Sequence, residues 1–410
     1  MIWAGDPGRG SATGARRAKR VALVSRLALY PQHWAAFSCL CRGWDIVAPT
    51  IIMPLPPTLP SVHRSLGWIH REQALSEMPE LRLITIEDRS TLRQAWRVFH
   101  AVRRLDSDVV WVQEEPSSWL TLVVLLALRW RRPPRIVVAA CENIFPRWGI
   151  ASDWLRRWLW RRVDAIAAVA DDSIDGLHEA GFPCSMETAT LVAGNFPPPA
   201  NLRPMPLPFD RRGERFIACF AGRVCEEKGL WTLLDAMRAL PDGFCLVIAG
   251  DGPLLPEVKQ AAQEAGLKGR IHLAGLCPKD ELWRLYAASD CLVLPSLTTP
   301  TWKEQFGGVL ADAMAVGLPI VGSDSGAIPQ VVGDAGIICP EGDATALAAA
   351  MSLLASDEKL RHRLQTVGRE RFASCFDIDS YAAKLADCLR LEPHDQPPAP
   401  SSAPGEEERS

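Results

Sequence analysis

At 410 residues, with 48% hydrophobic and 23% charged residues, the chain is too long for one ordinary domain and suits two cored ones. A net charge of −3 and a mean hydropathy near zero fit a soluble globular protein and carry no nucleic-acid signature. The twelve cysteines are scattered singly, with neither a CxxC pair nor a Cys/His cluster. That argues against zinc and for small buried hydrophobes in a reducing cytosol.

In chain order, residues 1–18 read as a flexible basic leader with no apolar run to serve as a signal peptide. Residues 19–196 are predicted to form a first α/β domain. Its strand candidates are RVALVS (20–25), WDIVAPT (44–50), LRLITIE (81–87), DVVWVQEEP (108–116), RIVVAAC (135–141) and AIAAVA (165–170). The acidic triplet at 106–108 precedes a strand and reads as a turn, not a metal site. WLTLVVLLAL (119–128) is about half of what a bilayer crossing needs, so a buried helix is expected there. Two stretches, RWRRPPR (129–135) and RWGIASDWLRRWLWRRVDAI (147–166), are rich in Arg and Trp. Basic Trp-bearing helices suit anionic membrane surfaces, and equally an ordinary surface helix whose Trp residues are core.

Six prolines between 197 and 208 make a regular element unfavourable, so 197–213 reads as a linker. In 214–376, apolar runs alternate with helical patterns. The strands are FIACFAG (216–222), FCLVIAG (244–250), IHLAG (271–275), CLVLPS (291–296), PIVGS (319–323) and GIIC (336–339). The helices fall at 229–240, 254–265, 279–288, 308–316 and 343–355. Strands apolar throughout and separated by helices indicate a parallel sheet covered on both faces. Ligands of such sheets bind beyond the strands' carboxyl ends. A last helix within 377–391 is expected to return to the first domain, and the Pro/Ser/Glu-rich tail 392–410 to be disordered. Two Rossmann-like, doubly wound domains facing across a cleft are the predicted architecture.

Three stretches carry chemistry. In FAGRVCEEKGLW, a strand ending at Gly222 runs into a loop with Arg223 and Lys228, two cations placed to neutralise a diphosphate. In VIAGDGP, Gly250 and Gly252 permit a sharp turn and a close approach to another backbone or to a ligand. In KEQFGGVLADAM, Glu304 and Asp312 flank Phe306-Gly307-Gly308. A helix starting near Gly307 would offer free amides to an anion, with no Cβ in the way. Val309, Leu310, Ala313 and Met314 form its buried stripe. Asp312 lies beside that stripe, where an unpartnered carboxylate is costly.

Together these residues resemble the retaining glycosyltransferases of family 4, glycosyl transferases group 1, with the GT-B fold. The resemblance covers about 216–376 and rests on GRVCEEKG, VIAGDGP, LPS, the E-x7-E-type motif beginning at Glu304, and PEGDATALAAAM. It implies transfer of a sugar from a nucleotide-diphosphate donor to a glycan, lipid-linked or other acceptor, with retention and without a metal or other cofactor. Arg223, Lys228 and Glu304 would then be catalytic. Gly222, Gly250, Gly252, Phe306, Gly307, Gly308, Val309 and Asp312 would bind the donor. Two departures stand out. Asp312 replaces the family's usual Glu, one methylene shorter. The first domain lacks both a Gly-rich first loop and a His after its DVVWV strand, which leaves Glu114, Glu115 or His33 as candidates there. A cytoplasmic enzyme in polysaccharide or envelope glycan synthesis is the implied setting, and the Arg/Trp-rich stretch 147–166 would, on its membrane reading, touch the inner face of the membrane. A catalytically silent nucleotide-sugar binder, or another GT-B enzyme such as an epimerase, remains an alternative. A dinucleotide oxidoreductase lacks its GxGxxG.

Overall fold

The computed structural model describes residues 18–26, 31–55, 75–76, 78, 80–88, 90–129, 134–145, 149–183, 187–191, 196–209, 215–264 and 266–394, with side chains at 31–33 excepted. The leader up to residue 17 and the tail from 395 lie outside the described residues, as does Arg147.

Seven strands build the first domain: β1 (Lys19–Val24), β2 (Ile46–Leu55), β3 (Arg82–Glu87), β4 (Val109–Val112), β5 (Arg135–Ala140), β6 (Ala165–Ala168) and β7 (Glu187–Thr190). They form one parallel sheet in the order β3-β2-β1-β4-β5-β6-β7. Period-2 alternation of apolar residues covers both faces. In β1, Val21 and Leu23 face one hydrophobic cluster while Ala22 and Val24 face the other. The first cluster takes α1 (Pro31–Gly43); the second takes α2 (Thr91–Arg103), α3 (Trp119–Leu128) and α4 (Ile150–Trp160). Between β6 and β7 lies α5 (Asp171–Glu179).

The second domain has six parallel strands: β8 (Phe216–Ala221), β9 (Phe244–Ala249), β10 (Ile271–Gly275), β11 (Cys291–Leu294), β12 (Ile320–Ser323) and β13 (Gly336–Cys339). Their order is β10-β9-β8-β11-β12-β13, with every residue of β8, β9, β11 and β12 buried. The helices are α6 (Leu230–Ala239), α7 (Leu255–Ala261), α8 (Lys279–Ala288), α9 (Gly308–Val316), α10 (Ile328–Val332), α11 (Ala344–Ser356), α12 (Glu358–Arg371) and α13 (Ile378–Leu389). The two doubly wound sheets make a GT-B architecture, as the sequence pattern requires.

The sequence reading names no helix at α1, α2, α5, α10 or α12 and no strand at β7, and it ends β2 at residue 50. β2 runs on to Leu55 because Ile51, Ile52 and Met53 are buried apolar residues. β7 is a polar edge strand, ETAT, without an apolar pattern. α12 is densely charged and is set by its cap, where the Asp357 side chain accepts the Leu360 N–H at 2.9 Å.

Long-range packing ties the halves together. α13 lays Ile378, Ala382, Leu385 and Leu389 into the first domain's cluster with Trp34, Phe37 and Leu40 of α1. The proline-rich segment packs Leu202, Met205 and Leu207 on the second domain, and the Met205 N–H donates to Arg284 O at 3.1 Å. Val169 and Ala170, just past β6, join the second domain's core.

Candidate active site

The strand order of the second sheet reverses between β8 and β11, so a crevice opens beyond their carboxyl ends. The loop after β8 carries Arg223 and Lys228; the loop after β11 carries Ser296 and Glu304. Glycine geometry brings the two loops together. Gly229 has φ +65°, and a Cβ there would lie 1.8 Å from Pro295 O, so only glycine lets the turn approach β11. That approach places Lys228 Nζ 2.6 Å from Glu304 Oε2. The Ser296 hydroxyl donates to the same oxygen at 2.7 Å. Both bonds fall on Oε2, and Oε1 accepts none from the described residues. The Trp302 ring lies 4.8 Å from Nζ, which adds a cation–π face to the ammonium.

Arg223 stands at the rim. Its side chain is 58% exposed, its Nε donates to Cys225 Sγ at 3.2 Å, and Nη2 is 3.8 Å from Glu227 Oε1. Gly250 and Gly252 serve the scaffold: Cβ atoms there would lie 1.8 Å from Gly222 O and 2.3 Å from Val224 O. Of the two readings open for VIAGDGP, the structure shows the close backbone approach. A Cβ on Gly222 would meet only the Phe220 ring, at 3.5 Å.

α9 begins at Gly308, with Gly307 at its N-cap in the left-handed region (φ +66°) and no side chain capping it. A Cβ on Gly308 would find nothing nearer than the Phe306 ring at 4.0 Å, so its approach is open. Phe306 and Val309 lean on the second domain's core. Asp312 is buried in α9 and forms an ion pair with Lys279, the first residue of α8. Burial pushes its carboxyl above the usual range, and Lys279 opposes that shift. The lysine is the partner that the buried carboxylate required.

The first-domain candidates are engaged in structure. Glu114 is buried and chelates Arg26, with Nη2 at 2.6 Å from Oε2 and the Arg26 N–H at 2.8 Å from Oε1. Glu115 accepts the Cys141 and Glu142 amides, each at 3.1 Å. Burial pushes its carboxyl up to about 7. The His33 side chain lies outside the described residues. Sequence reasoning missed Ser296, although it sits in the LPS triplet, and Lys279, Trp302 and Asn143, whose partners are remote in sequence. Among the described residues no cluster of His, Cys, Asp or Glu is arranged to hold a metal ion.

Residues 208–371 match the family described as glycosyl transferases group 1. The chain is 25% identical over 359 residues to a 2-deoxystreptamine glucosyltransferase of Streptomyces kanamyceticus, covering 80% of this chain and 90% of that one. It is 31% identical over 187 residues to a GDP-mannose-dependent alpha-(1-6)-phosphatidylinositol monomannoside mannosyltransferase of Mycobacterium tuberculosis. That match spans 44% of this chain and about half (49%) of the relative. Among solved structures, Anabaena HepE in complex with UDP superposes with a TM-score of 0.69 over 90% of this chain and 99% of its own, at 17% identity. Fold and second domain thus define a glycosyltransferase of GT-B architecture. The match to glycosyl transferases group 1 lies over the residues that hold its second sheet.

Proposed function

We propose that the protein is a retaining, family 4 glycosyltransferase that moves a sugar from a nucleotide-diphosphate sugar to a glycan or lipid-linked acceptor in polysaccharide or envelope glycan synthesis. The observation that carries this is the Lys228–Glu304–Ser296 cluster at the reversal of strand order. On this reading the bond from the anomeric carbon to the diphosphate breaks as the acceptor hydroxyl attacks the same face. The acceptor's proton passes to the departing phosphate. Arg223, Lys228 and the open amides at Gly308 stabilise the charge that develops there, which two fixed cations can do without a metal. Glu304, its Oε2 fixed, turns Oε1 to the sugar hydroxyls.

One relative is GDP-mannose-dependent, and HepE is bound to UDP. A panel of UDP- and GDP-sugars, read by release of nucleoside diphosphate, therefore tests the proposal. Turnover of one donor supports it. Binding of UDP or GDP without turnover of any donor favours the silent binder instead, for which Asp312 paired with Lys279 is the supporting observation.

The setting we propose is the cytoplasmic face of a membrane, held peripherally. No helix among the described residues is long and apolar enough to cross a bilayer. α4 nevertheless exposes Ile150, Trp154 and Leu155 beside Arg157 and Arg161. The Arg-rich stretch is not uniformly a surface, however. Arg156 is buried, pairing with Asp153 and lying 4.8 Å from the buried Trp160 ring.

A further inference from the structure

Glu304 is held from the opposite domain as well as its own. Asn143, buried on the loop after β5, donates its Nδ2–H to the Glu304 carbonyl oxygen at 3.1 Å. The same oxygen accepts the Ala327 N–H at 2.9 Å, so this peptide is clamped from both sides of the cleft. Next to it, Lys303 forms an ion pair with Asp172 in the first turn of α5. A third crossing runs from the Asp171 N–H to Gln330 Oε1 at 3.0 Å. The second oxygen of Asp172 is buried and has no partner among the described residues, so Lys303 is the cation that compensates this carboxylate.

The first-domain side of these crossings is braced. The Ser173 hydroxyl donates to Cys141 O at 3.3 Å. Gly176 lets α5 back onto the Asn143 peptide, where a Cβ would lie 2.6 Å from the Asn143 carbonyl oxygen. Glu115 holds the Cys141 and Glu142 amides from behind. Asn143 is thus set on a rigid loop, and its amide reaches backbone, not chemistry.

We propose that Asn143, together with the Asp172–Lys303 pair, positions Glu304: docking of the first domain fixes the Glu304 peptide and so the aim of its carboxylate. Domain closure and completion of the donor site are then a single event. This rests on the reading of Glu304 as the sugar-facing group.

The test uses the full chain and two readouts. Amide hydrogen exchange over 303–310 is expected to run about tenfold faster in Asn143→Ala, Asn143→Asp and Asp172→Asn, while strands β8, β9 and β11 keep their protection. Exchanging the charges (Asp172→Lys with Lys303→Asp) is expected to restore slow exchange. Affinities for UDP and GDP by calorimetry should stay within about twofold, since the phosphate-facing groups lie in the other domain. Release of nucleoside diphosphate should fall about tenfold in kcat with KM nearly unchanged. Unaltered exchange over 303–310 in both Asn143→Asp and Asp172→Asn overturns the proposal. Should Asn143→Ala not fold, Asp172→Asn and the charge exchange still decide it. A protein that binds neither UDP nor GDP and turns over no donor defeats the proposed function, and the exchange data judge the interdomain clamp separately.

Discussion

Lys228 Nζ lies 2.6 Å from Glu304 Oε2, the two residues reaching each other from loops on either side of the strand-order reversal. Both side chains are largely withdrawn from water, at 14% and 7% exposure, so each depends on the other to offset its desolvation. Lys228→Ala strands a buried carboxylate and should cost about 3 kcal/mol in denaturant unfolding. Diphosphate release should fall by at least roughly 100-fold if the ammonium meets developing charge. Adding Glu304→Gln to Lys228→Ala should recover most of the stability and none of the turnover. Turnover near the parent level in Lys228→Ala would show that the lysine is structural only.

Asp312 and Lys279 form the second buried-acid pair. The resemblance places Asp312 among the donor-binding residues, and the structure pairs it with Lys279. Lys279→Met should destabilise the second domain by about 1 to 3 kcal/mol, because Asp312 loses its compensating charge. Burial already raises this carboxyl, so the variant's loss should be greatest at high pH, where Asp312 must ionise, and smallest in acid. Asp312→Glu should tighten UDP or GDP binding if the missing methylene is what keeps the acid from a ribose. Denaturant unfolding at pH 4 and 8 reads the first effect and calorimetry with UDP or GDP the second, and unchanged affinity in Asp312→Glu removes Asp312 from the nucleotide site.

The second domain was legible because its strands are apolar on both faces and its turns are marked by glycines whose reasons are steric. Gly229 and Gly250 could not carry a side chain against Pro295 O and Gly222 O. What lay hidden was pairing over distance. Nothing in QEEP says that Glu114 faces Arg26 while Glu115 faces the Cys141 and Glu142 amides. Likewise, an Arg-rich helix does not reveal which arginine turns inward; Arg156 does so because Asp153 and the Ser117 hydroxyl receive it, at 3.0 and 3.4 Å. Periodicity reports which face is buried, and only tertiary packing reports what a polar group meets there.

The exposed face of α4 yields a membrane test free of that confusion. Trp154 is 66% and Ile150 92% exposed, flanked by the exposed Arg157 and Arg161. Flotation with vesicles containing about one third anionic lipid should recover the unmutated protein and lose it with Trp154→Ser plus Arg161→Glu, with thermal stability unchanged. Arg156→Glu should instead unfold the domain, since it inverts a buried charge. If the unmutated protein stays with the soluble fraction at low salt, peripheral attachment through α4 is wrong.

Glu115 sets a pH dependence of its own. Its carboxyl is pushed up to about 7, from 4.5, chiefly by burial, against the two amides that favour its ionised form. A carboxyl raised on folding contributes its full stability below the unfolded value and loses it as pH climbs through the folded one. The loss therefore develops between about pH 4.5 and 7 and levels off above, and amounts to roughly 1 to 3 kcal/mol. Glu115→Gln stays neutral and keeps an oxygen for the Cys141 and Glu142 amides, so it should track the parent near pH 5 and exceed it by pH 8. The midpoint difference between the two proteins, measured in denaturant across that range, should rise with pH. A flat difference would mean that Glu115 ionises as readily folded as unfolded, its amide bonds outweighing its burial.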